Sequence, residues 1–158
     1  MAASDQHQIF YRDEARQSVM WYDPVFKVVT LDDEEVWRRR HYRVRNKKNT
    51  GPGTFSFTVL DNGVLSDEFW RILDVAEDLS WAVLYYSGAA SAAGTSYSGA
   101  LVCTQDGTWP KMSGPEDPIY KRIQSALAQG GITMYELFSV KQSESHANPP
   151  PLGARKYL

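Results

Sequence analysis

Residues 54–60 alternate cleanly, with Phe55, Phe57 and Val59 on one side and Thr54, Ser56 and Thr58 on the other. A period of two is the mark of a strand with one buried face. Asp61-Asn62-Gly63 follows, residues suited to the positive φ values of a tight hairpin, and residues 69–75 predict the returning strand. Beyond a short turn at residues 77–80, residues 81–86 form a near-continuous apolar strand. Residues 88–94 contain only Gly, Ala and Ser and read as a loop, after which residues 97–104 complete a second hairpin.

The first part of the chain reads the same way. Residues 7–12 and 19–22 are short strands, the second broken at Asp23-Pro24 because proline removes a ladder donor. Residues 25–30 resume it, Asp32 to Glu35 supply an acidic turn, and residues 37–45 give another strand. One helix comes late: Asp117 caps it, Pro118 suits its first position, and Ile119, Ile123, Ala126 and Leu127 share a face before Gly130-Gly131 ends it. Residues 135–140 predict a closing strand, and residues 143–158, with Pro149-Pro150-Pro151, an extended tail. Sequence-local hairpins favour an up-and-down meander. The fold class expected is therefore mainly β, an antiparallel β-barrel with one C-terminal α-helix, spanning residues 1–142. Such a barrel holds one small apolar ligand.

Composition narrows the function classes. At 158 residues, with 42% hydrophobic and 23% charged residues, the chain can bury a core of its own. A net charge of -2 implies no polyanion partner, and nucleic acid is not expected. Cys103, the one cysteine, sits in an apolar stretch and reads as a small buried hydrophobe. His7, His41 and His146 share no metal-ligand spacing, so no metal site is expected. No apolar run approaches the ~20 residues that cross a bilayer, and the first eight residues do not read as a signal peptide. The densest charge feature is Arg38 to Lys48, which holds seven Lys or Arg and no acid. Within it Arg38, Arg39, Arg40, Arg43 and Arg45 are candidates for docking an acidic partner or an anionic lipid surface.

Residues 68–104 carry a more specific pattern. Trp70-Arg71-Ile72-Leu73 opens one strand, Trp81 to Gly88 forms a strand ending in Tyr85-Tyr86-Ser87-Gly88, and Tyr97-Ser98-Gly99 opens the next. This resembles the lipocalin-like domain of the violaxanthin de-epoxidase family, and the segment from Trp37 to Val44 is more similar to the family's related plastid members. The resemblance implies a lipocalin-like barrel, a chloroplast and thylakoid-associated location, and a xanthophyll or other apolar ligand. It also implies epoxide opening with ascorbate as reductant where the activity is present, and otherwise a non-catalytic accessory or assembly subunit of a membrane complex.

The family enzyme's cysteine-rich N-terminal domain and glutamate-rich C-terminal segment have no counterpart in these residues, and the family's first barrel strand falls at or before Met1. Asp5 is the position matching the family's acid, with Gln6 where the family has cysteine. It is the catalytic candidate, because a desolvated carboxylic acid can protonate an epoxide. Trp37, Trp70, Trp81, Tyr85, Tyr86 and Tyr97 are the ligand-binding candidates, since aromatics combine large apolar area with a polar handle.

Overall fold

In the computed structural model the alternation seen in the sequence becomes eight antiparallel strands, described over residues 3–46, 51–61, 63–90, 94–140 and 149. The chain divides into two compact units, Met1–Arg43 with Ser139–Leu158, and Val44–Phe138.

The first unit is built on β1 (Ala3–Arg12), β2 (Met20–Val29), β3 (Glu35–Arg39) and the start of β4 (Tyr42–Val44). β2 pairs with β1, β3 and β4. It runs unbroken through Pro24, contrary to the expected interruption. Pro24 stands just before the first β2–β3 pair, Val25–Arg39, and its carbonyl accepts the Arg40 N–H at 3.1 Å, so the missing donor falls at a ladder end. The single strand expected over residues 37–45 is instead split at Arg40-His41, where Arg39 and His41 both turn their side chains to Asp23.

The second unit holds a four-stranded meander of β5 (Thr54–Asp61), β6 (Val64–Val75), β7 (Trp81–Ala90) and β8 (Thr95–Thr104). The β5–β6 hairpin closes at the pair Asp61–Val64, with Gly63 at φ +78° supplying the left-handed turn residue; Asn62 lies outside the described residues. The Gly/Ala/Ser stretch expected to loop from Gly88 pairs through Ala90 with Thr95 instead. Small side chains impose no bar to pairing when the partner strand is in register, so the ladder continues until the turn; residues 91–93 lie outside the described residues.

The helix α1 (Pro118–Gln129) forms as its signals require. Asp117 accepts the Ile119 N–H at 2.9 Å, and Gly130 sits at the C-cap. Its buried face, Ile123, Ala126 and Leu127, packs with Ala76, Trp81 and Val83 into the core of this unit. Arg122 clamps the helix to β6, donating to both Asp74 oxygens (3.1 and 2.9 Å), to Glu77 and to the Val75 carbonyl, while its guanidinium lies 5.0 Å from the Trp81 ring centre. Cys103 on β8 is largely desolvated, which pushes its thiol up to about 11. At pH 8 it is expected to react with a thiol reagent about a hundredfold more slowly than a free thiol, and urea should remove the difference. Fast labelling of the folded protein would show the thiolate to be accessible instead.

Two further expectations are not met among the described residues. The closing strand over residues 135–140 is absent: Met134–Glu136 is a short 3-10 helix followed by irregular chain, and Tyr135 and Phe138 are 86% and 88% exposed. Glu136 accepts the Thr133 N–H and hydroxyl at 2.7 and 2.6 Å, a local capping arrangement that competes with strand pairing. The barrel is likewise not found. Among the described residues the ladders make two four-stranded sheets, β1-β2-β3 with β4 on β2, and β5-β6-β7-β8, and no ladder joins them into a closed ring. The tail expected over residues 143–158 lies, Pro149 apart, outside the described residues.

Candidate functional site

The register of the meander decides which side chains share a face. Phe55 opposes Trp70, Trp70 opposes Tyr86, Phe57 opposes Glu68, Glu68 opposes Gly88 and Gly88 opposes Tyr97. Since opposed residues point the same way, one face carries an unbroken row of aromatic rings. Centroids are 5.8 Å apart for Phe57–Trp70, 5.6 Å for Trp70–Tyr86 and 6.4 Å for Tyr86–Tyr97, within the range of favourable ring contact. Phe55, Phe57 and Trp70 are buried, whereas Tyr97 is 40% exposed.

Glu68 stands within this apolar row and is fixed there. One carboxylate oxygen accepts the Trp70 Nε1–H at 2.7 Å and the other accepts the Tyr97 hydroxyl at 2.7 Å. Burial, followed by the bond to Glu68, raises the Tyr97 phenol well above its ordinary value, so it remains a donor. A groove of about 660 Å³ crosses all four strands on the opposite face, over the rows Ser56, Phe69, Ser87, Ser98 and Thr58, Asp67, Ala89, Ser96, with Arg45 at the β5 side.

The sequence Tyr-Ser-Gly occurs on both β7 and β8, and the structure explains it. Tyr86 faces Gly99 and Tyr97 faces Gly88, so each ring covers the glycine across the ladder. A Cβ on Gly88 would stand 2.2 Å from the Tyr97 ring, and one on Gly99 2.4 Å from the Tyr86 hydroxyl. These glycines are needed for the space above them, not for their φ.

The six aromatic candidates therefore separate. Trp70, Tyr86 and Tyr97 meet on the aromatic face. Trp81 and Tyr85 alternate to the opposite face of β7, where Trp81 joins the helix core and a Cβ on Gly130 would meet the Tyr85 ring at 2.8 Å. Trp37 belongs to the first unit, 5.8 Å from His7, with the Lys27 ammonium 5.3 Å from its ring centre.

Asp5, the acidic candidate, is fully buried. It lies in a β-bulge: Ser4 pairs with Lys27 and His7 with Val25, so β1 has one residue more than β2 across this interval. Its φ of +47° is a left-handed value that aspartate tolerates better than most residues. Lys27, itself buried, approaches its carboxylate to 3.7 Å and reaches Glu35 at 3.8 Å. The neighbouring His7 has its Nε2 buried with no hydrogen-bond partner, and burial lowers its pKa despite the opposing pull of Asp5.

A second buried carboxylate, Asp23, gathers three donors. Arg39 donates to it from Nε at 2.9 Å and from Nη2, the Tyr11 hydroxyl donates at 3.2 Å, and His41 Nδ1 lies at 2.7 Å with its ring stacked 4.3 Å from Trp21. Of the arginines proposed for docking, Arg39 is thus committed internally. Arg43 and Arg45 are exposed, and Arg38 and Arg40 are half-buried.

Glu68, Lys27 and Asp23 did not emerge from the sequence as functional residues. Glu68 had a signal available, since it shares parity with Trp70 on a strand. Asp23 beside Pro24 carries the composition of a turn, and only its tertiary donors reveal it as buried. Together the fold and the site define a mainly β protein of antiparallel sheets with an aromatic row on one face of the β5–β8 sheet and a groove on the other. No protein-family model matches the chain, and no curated protein matches it.

Proposed function

We propose that this chain is a lipocalin-like binding protein that takes an elongated apolar molecule, a xanthophyll or similar polyene, along the aromatic face of the β5–β8 sheet. The observation that carries the reading is the continuous ring row Phe57, Trp70, Tyr86 and Tyr97. Flat conjugated ligands gain both apolar burial and ring contact on such a surface. The violaxanthin de-epoxidase resemblance lies in the same strands and favours a polyene and a plastid, thylakoid-associated location.

De-epoxidation is the weaker part of that reading. It asks for a protonated acid beside the epoxide, and Asp5 is engaged by the Lys27 ammonium within its own unit. Purified protein mixed with violaxanthin, with and without ascorbate at neutral and acid pH, is expected to retain the pigment through gel filtration and return it unconverted on chromatography. A de-epoxidised product would restore the enzymatic reading with ascorbate as reductant. Failure to retain any pigment or other polyene would remove the binding proposal. In that case an accessory subunit docked to a membrane complex is favoured, for which the exposed Arg43 and Arg45 are the supporting observation.

A further inference from the structure

We infer that the groove on the helix side of the β5–β8 sheet is a second binding site, one for a neutral oligosaccharide. It lies on the face opposite the ring row and stands independently of the polyene reading. Trp81, Val83, Tyr85, Ser87 and Ala89 alternate onto one face of β7, and the β7–β8 register is continuous along its length. The face that packs α1 at Trp81 and Val83 therefore becomes, past Tyr85, the floor of the groove. Side chains on these two strands are small there: Ser87 opposes Ser98 and Ala89 opposes Ser96. That low floor leaves a space of about 660 Å³, the size of an ordinary ligand site.

The lining decides the ligand. Sites for apolar molecules are walled mainly by apolar side chains, whereas this floor presents the hydroxyls of Ser56, Thr58, Ser87, Ser96 and Ser98. Each hydroxyl both donates and accepts, and covering one without a partner costs free energy. A ligand lying here must carry hydroxyls at a similar density. Asp67 and Arg45 add one charge of each sign, which favours a neutral molecule over an anion or a cation. Glu68 adds none, because Trp70 and Tyr97 hold its carboxylate on the other face. Thr58 donates to one Asp67 oxygen at 2.8 Å. Among the described residues the other Asp67 oxygen, the Arg45 guanidinium and the hydroxyls of Ser87, Ser96 and Ser98 have no hydrogen-bond partner, so they are open to a ligand. Phe69, between Ser56 and Ser87 in its row, supplies apolar surface for the C–H face of a sugar ring. The groove spans three inter-strand spacings, about 14 Å. That exceeds one sugar ring and suits a flat β-1,4-linked hexose chain laid across the sheet.

Calorimetric titration of the whole chain with cellotetraose tests the site. Saturable binding is expected, at least about tenfold tighter than that of glucose, because only the longer chain reaches all four strands. Phe69→Leu keeps an apolar side chain and removes the ring; Asp67→Asn keeps an acceptor for Thr58 and removes the charge. Each should weaken cellotetraose about five- to tenfold. Ser98→Val suits a strand but raises the floor and deletes a hydroxyl, and it should abolish binding. Tyr97→Phe, changed on the opposite face, should leave the affinity within about twofold. Circular dichroism and urea midpoints check that each variant is folded. Absence of cellotetraose binding, an affinity no better than that for glucose, tighter binding of the anionic tetragalacturonate, or indifference to all three groove substitutions would each overturn the inference, whatever the result with polyenes.

Discussion

Asp5→Asn is expected to lower the folding stability by about 3 kcal/mol, read as a reduced urea midpoint at unchanged slope. Asparagine fits the left-handed backbone at this bulge and keeps the side-chain volume, so the substitution isolates the charge. What remains is a Lys27 ammonium, 8% exposed at its side chain, with Glu35 at 3.8 Å as its remaining carboxylate partner among these contacts. Removing one half of a buried pair leaves the other desolvated with less of its charge compensated, which is why the cost exceeds that of losing a surface bridge. Asp5→Asn combined with Lys27→Met should recover most of the loss, because the apolar side chain replaces a buried charge that has lost its nearer carboxylate beside Trp37. If the double variant is no more stable than the single one, the loss comes from the bulge and not from the ion pair. The pair also bears on chemistry: a residue whose charge is needed for folding is poorly placed to cycle through a neutral form.

Trp70→Ala should cost about 3–5 kcal/mol, the range for removing a large aromatic from a packed site. Trp70 is 4% exposed and touches rings on both flanking strands, Phe55 and Phe57 on β5 and Tyr86 on β7. Its loss also frees the Glu68 oxygen it holds. Where the variant still folds, polyene affinity should fall by about tenfold or more, since the ring lies in the middle of the aromatic row. Trp81→Phe, on the opposite face, separates general destabilisation from loss of the site: it should weaken the helix core and leave affinity within about twofold. A Trp70→Ala protein that folds and binds with undiminished affinity would place the ligand elsewhere.

Much of the fold was legible because its signals were local. The alternation of Phe55, Phe57 and Val59, the Asp117-Pro118 start and the Gly130 stop each act within a few residues, and each appears where expected. Sequence signal and structure part where distant groups decide the outcome. Pro24 has the composition of a strand breaker, but its position at the end of the β2–β3 ladder removes the penalty. Tyr135 to Val140 has strand composition, yet Thr133 and Glu136 bend the chain first. The candidate site was half legible. Trp70, Tyr86 and Tyr97 have the parity of one face, while Trp81 and Tyr85 have the parity of the other, a division available from β7 alone once its direction relative to the helix is known. Asp23 and Lys27 were not available in this way, because a charged residue reads as exposed until the partners that compensate its burial are seen.

The crossed tyrosine and glycine pairs on β7 and β8 tie four positions into two conditional choices. A methyl group at position 88 is ruled out only while a ring stands at position 97, and position 99 depends on position 86 in the same way. Sequence drift here must therefore proceed by exchange: a smaller side chain on one strand first, then a larger one facing it. Alanine at 88 should be poorly tolerated alone yet acceptable beside serine at 97, at the cost of a ring from the aromatic row and of a donor to Glu68. The ladder can thus keep its shape along a route that its binding surface cannot follow.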